Sequence, residues 1–310
     1  MLVEPHNEII SPKIAKFALQ HRGGKLKDYL SLVKFSHTIF AMPFAMIGFF
    51  LAIYTNGQSF DIKLLLLVIL CMIFARSAAM AFNRYIDSLI DSKNPRTAIR
   101  EIPAGILSRI NVLWFVIINS ILFMATTWFI NPLCFYLSFV ALFVILGYSY
   151  TKRFTYLCHF FLGVGLSLAP IGAYIAVTSE FDSWLPVLFS LTVFCWVTGF
   201  DIIYALQDEQ FDRSQKLHSI PVMIGKSRAL NLSTILHVLA MVFIILAGVY
   251  GEMSWLYWVG CTCFSGLLIY QHTLIKPNDL TKINLAFFTT NGIASVIFAM
   301  FVISDFLILS

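Results

Sequence analysis

Ile62-Lys63-Leu64-Leu65-Leu66-Leu67-Val68-Ile69-Leu70-Cys71-Met72-Ile73-Phe74-Ala75-Arg76-Ser77-Ala78-Ala79-Met80-Ala81-Phe82-Asn83-Arg84-Tyr85-Ile86-Asp87-Ser88-Leu89-Ile90-Asp91 is the stretch that decides the fold. Residues 62–86 form an apolar run long enough to cross a bilayer as a helix. The run then ends in an acidic ladder, because Asn83, Asp87 and Asp91 follow one another at i, i+4 steps and share one helix face. Eight similar apolar runs flank it, near 36–55, 110–130, 132–150, 156–178, 184–206, 229–250, 254–274 and 284–308. The expected architecture is all-α, a polytopic membrane protein with nine transmembrane helices. Residues 1–35 are read as a cytoplasmic N-terminal tail and 36–310 as one transmembrane domain. Pro43 and Pro170 fall inside two of the runs and are expected to kink them.

Composition agrees. The chain is 59% hydrophobic and only 12% charged, whereas soluble domains carry about 25% charged residues. Its first 30 residues are polar and basic and do not read as a signal peptide. Of the 21 Lys and Arg, 19 fall in the N-terminal tail and in segments 84–109, 151–155, 207–228 and 275–283. Only Lys63 lies in the intervening turns, and Arg76 sits inside a span. By the positive-inside rule the N-terminus and these loops face the cytoplasm and the C-terminus faces out. The net charge of +5 is then a topology signal with some attraction to lipid headgroups, and nucleic acid is not an expected partner. The six cysteines lie mainly in apolar runs with no CxxC pair, so they read as buried thiols.

A second ladder ends the 184–206 run, where Asp201, Tyr204, Asp208 and Asp212 fall on one face if the helix continues. Asp87 to Asp208 and Asp91 to Asp212 are both 121 residues, and each ladder is followed by an Ile-Pro pair and a Ser-Arg pair. This pseudo-repeat would place the two ladders across one central cavity. An isolated i, i+4 acid pair at a helix end is ordinarily a solvated face. Two of them at one side of the membrane, in a chain with only 16 Asp and Glu, call for a cause. Hard divalent cations such as Mg²⁺ take one or two carboxylates together with substrate phosphates, so facing stripes suit a metal-held diphosphate.

Arg76 is costly inside an apolar helix and lies seven residues before Asn83, on the same face. It points to the same space, or forms a structural ion pair. Lys152 and Arg153 follow Tyr148 and Tyr150 at a cytoplasmic end, where either topology or an anion accounts for them. Lys93, Arg96 and Arg100 surround Asn94-Pro95 and could cap the diphosphate or simply fix orientation. His37 could orient an aromatic hydroxyl or carboxylate, while His159 and His237 read as packing residues.

Asn83-x3-Asp87-x3-Asp91 with Arg96-Thr97 and Arg100-x2-Pro103-x-Gly105 resembles the first signature of the UbiA superfamily of membrane prenyltransferases. Asp201-x2-Tyr204-Ala205-x2-Asp208-x3-Asp212 resembles its second, in the form of 4-hydroxybenzoate polyprenyltransferases. Tyr148-x3-Lys152-Arg153 and Arg76 match as well. The start of the first helix, Lys34-Phe-Ser-His37-Thr-Ile-Phe-Ala-Met-Pro43, departs from that form and is similar to a branch linked to menaquinone made by the futalosine route.

The resemblance implies a bundle around a central cavity, capped by cytoplasmic loops and open sideways to membrane lipid, in a bacterial inner membrane. It implies Mg²⁺-dependent transfer from a polyprenyl diphosphate to an aromatic acid, 4-hydroxybenzoate or a naphthoate, in ubiquinone or menaquinone biosynthesis. Asn83, Asp87, Asp91, Asp208 and Asp212 would bind the metal. Arg76, Lys152, Arg153, Arg96 and Arg100 would bind the diphosphate, and His37 and Tyr148 the acceptor. Asp201, Tyr204 and Arg76 would be catalytic. A secondary transporter is the rival class, but its binding groups belong near the bilayer midplane on broken helices.

Overall fold

The computed structural model describes residues 24–34 and 41–308. Within them the chain is helical, with no strand beyond an isolated bridge between Lys276 and Asp279. In chain order the helices are α1 Lys25–Leu32, α2 Met42–Asn56, α3 Ile62–Asp91, α4 Arg109–Trp128, α5 Pro132–Thr151, α6 Cys158–Thr178, α7 Leu185–Ala205, α8 Glu209–Ser214, α9 Ile220–Tyr250, α10 Trp255–Leu274 and α11 Asn291–Ile308. A 3₁₀ turn, Leu206–Asp208, joins α7 to α8, and a π-helical turn, Leu285–Thr290, leads into α11.

Seven helical segments are long and apolar enough to cross a membrane: α3, α4, α5, α6, α7 with its extension, α9 and the segment Leu285–Ile308. The other two expected runs also carry helices. α2 has 15 residues, and α10 has 20 but includes Gln271 and His272. The outward surface is what lipid requires: Phe143 is 80% exposed, and Ile118, Ile121 and Phe139 are also exposed. This is an integral, multi-pass membrane protein.

Polar residues set where several helices begin. Asp61 accepts from the Lys63 backbone N–H at 2.8 Å, and Asn131 from that of Cys134 at 2.7 Å. The Asn131 amide also donates to the Ile175 and Ala176 carbonyls, tying the start of α5 to the end of α6. Pro43 does not kink α2. It occupies the first turn, where a missing N–H leaves no helical bond unmade. Pro170 does lie inside α6. There α2 comes so close that a Cβ on Gly48 would stand 2.0 Å from the Pro170 carbonyl oxygen.

Consecutive long helices pack side by side around a ring, and α2 closes it by packing on α6 and α11. Phe44, Trp196, Phe264 and Phe298 form the aromatic centre of the main core, and the Trp196 indole donates to Asn291 at 2.9 Å. α9 departs at its start from the expected run near 229–250. It begins at Ile220 rather than near 229, because Gly225 (φ 78°, ψ 163°) supplies a non-helical joint that only glycine adopts without strain. Ser227-Arg228 therefore follows a joint within the helix.

Candidate active site

Both ladders line a single cavity of about 700 Å³. α3 presents Arg76, Asn83, Arg84, Asp87 and Asp91 to it, since it stays helical through the whole first ladder. The loop after α3 adds Asn94, Arg96 and Arg100, the end of α5 adds Tyr148 and Lys152, and the α7–α8 region adds Asp201, Tyr204, Asp208 and Asp212. The second ladder is not one helical face. The Leu206 N–H bonds Ile203 rather than a residue four back, α7 tightens into the 3₁₀ turn, and α8 restarts at Glu209. Asp208 and Asp212 are thus re-aimed relative to Asp201.

Four of the five ladder carboxylates have their own cation. Arg96 grips Asp208 with two nitrogens, Nε to Oδ1 at 3.0 Å and Nη2 to Oδ2 at 2.5 Å, and its Nη1 donates to the Tyr204 hydroxyl at 3.1 Å. Asn94 also donates to Asp208 at 3.2 Å. Arg100 Nη1 stands 2.7 Å from both oxygens of Asp91. Arg153 donates to Asp87 at 2.9 Å and to the Ile86 carbonyl at 3.0 Å. Lys152 Nζ lies 2.7 Å from Asp212 Oδ1. Adjacent residues at the end of α5 therefore serve opposite ladders. Outside the spans, burial alone lowers the Arg96 and Lys152 pKa values, but Asp208 and Asp212 more than offset it and hold both above their ordinary ranges.

The donor chemistry fits Mg²⁺. Asp212 is fully buried, and the Lys152 ammonium 2.7 Å from its Oδ1 is the one cation paired with it among the described residues. A carboxylate accepts more than one partner, so Asp212 keeps lone pairs for a metal ion beside the lysine. The Asn83 amide donates to Asp87 at 3.2 Å, keeping an oxygen-bearing pair together on α3. Among the described residues no three His, Cys, Asp or Glu side chains close on one point.

Arg76 forms none of these ion pairs. It is half-buried, its Nε is buried without a partner, and it lines both the polar cavity and a second one of about 560 Å³. The second cavity is walled by apolar side chains of α3, α5 and α6. Arg76, Met80, Tyr148, Leu162 and Leu166 belong to both walls, so the charged and the apolar space meet there. His37 lies outside the described residues.

Sequence reasoning missed two residues. His159, read as a packing residue, stands 2.6 Å from Asp201. Its available signal was position: it follows Lys152-Arg153 closely, at the same end of the bundle. Arg84 is buried with its Nε unpartnered and lines the polar cavity. Its adjacency to Asn83 was the clue.

The model of the UbiA prenyltransferase family matches residues 41–293. A 4-hydroxybenzoate octaprenyltransferase of Shewanella woodyi is 27% identical over 267 residues, covering 86% of this chain and 93% of the relative. One of Aliivibrio fischeri is 28% identical over 241 residues, covering 77% and 82%. Among solved structures, a UbiA homolog from Aeropyrum pernix K1 in its apo form superposes with a TM-score of 0.79 at 29% identity, covering 87% of this chain and 98% of that one. A UbiA homolog from Archaeoglobus fulgidus, bound to DMAPP and Mg²⁺, shares the fold with a TM-score of 0.70 at 19% identity, covering 91% and 99%.

Proposed function

Since this chain belongs to the UbiA prenyltransferase family and is a prenyl-transferring enzyme, we propose that it moves a polyprenyl group from a polyprenyl diphosphate to a hydroxylated aromatic acid in quinone biosynthesis. One observation carries the reading. The cavity holding both ladders shares a wall with the apolar cavity, so a diphosphate head and an isoprenoid tail have separate, adjoining places. We place the ladders on the cytoplasmic side from the distribution of Lys and Arg. The aromatic acid is 4-hydroxybenzoate on the strength of the curated relatives, and a naphthoate on the strength of the Lys34–Pro43 stretch.

Asn83, Asp87 and Asp91 on one side, and Asp208 and Asp212 on the other, would hold Mg²⁺. When bound, the ion neutralises the diphosphate and makes it a better leaving group. Arg96, Arg100, Lys152 and Arg153 have partners to exchange: each now neutralises a carboxylate and can turn to a diphosphate oxygen once that carboxylate is otherwise engaged. Arg76 stands where the departing oxygen and the allylic carbon separate. Its unpaired Nε–H is a buried donor for the charge that develops there. The apolar lining excludes water from the allylic cation. Tyr148, in both walls, flanks the acceptor, and Asp201 receives its hydroxyl. Tyr204, stacked on Phe287 with centroids 4.1 Å apart, fixes the Arg96 side chain.

The test is direct conversion by purified protein of a long prenyl diphosphate with a panel of aromatic acids that includes hydroxybenzoate and naphthoate. The expected result is a prenylated, lipid-soluble product that disappears with EDTA and returns with Mg²⁺. Conversion untouched by EDTA removes the metal-ladder reading, and no product from any member of the panel removes the acceptor class.

A further inference from the structure

The contact between His159 and Asp201 has a geometry that packing alone does not require. His159 is near the start of α6 and Asp201 near the end of α7, and both line the polar cavity. His159 Nδ1 is 2.6 Å from Asp201 Oδ2, and the histidine is buried. The other ring nitrogen, Nε2, is 3.4 Å from the backbone N–H of Ile220, which points at it. A ring nitrogen that accepts a hydrogen bond carries no proton, so the neutral imidazole has its hydrogen on Nδ1 and donates it to Asp201.

The start of α9 fixes this arrangement. Ile220 is its first residue, and the N–H groups of a first turn have no partner within the helix. Ser219, at the cap position, makes no side-chain cap bond, and Pro221 has no N–H at all. The imidazole takes the place of a cap. It turns one backbone donor into a device that selects the tautomer. Asp201 then has one oxygen held, while no hydrogen bond reaches its Oδ1 among the described residues. Its side chain keeps 22% exposure, toward the cavity it lines.

We propose that His159 is a positioning residue for the aromatic acceptor, holding Asp201 so that Oδ1 receives the acceptor's ring hydroxyl. This rests on the prenyl-transfer reading above. As the bond from the allylic carbon to the diphosphate oxygen breaks, with its electron pair leaving on the diphosphate, the ring carbon ortho to the hydroxyl bonds to that carbon. Asp201 takes the hydroxyl proton during this step and leaves a neutral dienone. The hydrogen on the substituted ring carbon then departs as a proton to the released diphosphate or to water. Asp201 returns its borrowed proton to the ring oxygen, restoring the phenol. The balance needs no oxidant or further reactant, and His159 keeps its own hydrogen throughout.

Two substitutions in the full-length protein separate positioning from packing. His159→Asn keeps a donor near the place of Nδ1, whereas His159→Leu removes it. Proton transfer by a positioned group contributes about 10²–10⁴-fold. The Leu variant is therefore expected to lose about 10²-fold in kcat/KM for the aromatic acid, and Asn to keep within about tenfold of the wild type, by the same principle. KM for the prenyl diphosphate stays unchanged in both. Wild-type acceptor kinetics in His159→Leu overturn the proposal, as does an equal rise of both KM values in the two variants. A readout independent of turnover is the ¹⁵N spectrum of labelled histidine, with the His159 signals assigned by their loss in the Asn variant. Protonated Nδ1, with a signal that moves in Asp201→Asn, supports the pair. A proton on Nε2 overturns it. If the wild type converts no aromatic acid, the function above fails, while the spectrum still decides whether the pair is built as described.

Discussion

The two acidic ladders share an Asp-x3-Asp pair, Asp87/Asp91 and Asp208/Asp212, yet their backbones differ. α3 runs unbroken from Ile62 to Asp91, so the helix itself fixes the distance between Asn83, Asp87 and Asp91. The second ladder crosses the Leu206–Asp208 turn, and each acid takes a separate environment. Asp201 faces a histidine, Asp208 a two-pronged arginine, and Asp212 a lysine in a fully buried setting. A rigid ruler thus faces a segmented strip. The first can set a spacing, and the second can give each carboxylate its own task. Identical spacing in sequence does not impose identical geometry when one copy sits at a helix end.

The comparison breaks most sharply at the metal. Asp87→Asn and Asp208→Asn should each abolish prenyl transfer, by at least ~10³-fold, the scale at which electrostatic groups act in phosphoryl chemistry. Insertion into the membrane should stay intact, as judged by yield and monodispersity. Retained turnover in either variant would show that its ladder is dispensable.

Lys152→Met and Arg153→Met test the difference in burial. Lys152, itself 35% exposed, faces a carboxylate with no exposure, so its loss strands a buried charge at a cost below the about 3–5 kcal/mol of a fully buried pair. Arg153 faces a carboxylate that keeps 19% exposure and is also bonded to Asn83, so its loss should cost less. Thermal denaturation in detergent should show the larger fall in Tm for Lys152→Met. Mg²⁺ with diphosphate should recover part of that fall. Equal falls would erase the distinction between the ladders.

Arg96→Lys and Arg100→Lys probe hydrogen-bond geometry. Arg96 uses three nitrogens on two partners, which an ammonium cannot reproduce, so KM for the diphosphate should rise about tenfold. Arg100 reaches Asp91 through one nitrogen, and lysine should serve within a few-fold.

Gly225→Ala is the smallest test. A side chain at φ 78° should cost about 1–3 kcal/mol without touching the site, lowering Tm while leaving kcat close to the wild type. A change in kcat would show that the joint in α9 transmits to the second ladder.

Much of this was legible in the sequence. Hydropathy located the helical runs because a bilayer demands length and apolarity together. Spacing located both ladders, and Arg76 stood out because a charge in an apolar run is expensive. What stayed hidden were relations between distant segments. Arg96 follows the first ladder in sequence but binds Asp208 of the second, 112 residues away. Lys152 and Arg153 are neighbours whose partners lie on opposite ladders. The role of His159 depends on the Ile220 N–H, which becomes available only because a helix starts there. The break at Leu206 was hidden because no glycine or proline stands there and the i, i+4 spacing of the acids runs straight across it, as it would on an unbroken helix.

Pro170 has a consequence of another kind. Its ring supplies no N–H, so the carbonyl four residues earlier, that of Leu166, lacks its helical donor. Leu166 belongs to the wall shared by the polar and apolar cavities. The missing N–H removes one rung from the α6 hydrogen-bond ladder at the level of this wall, which lowers the cost of bending the helix where the two cavities meet.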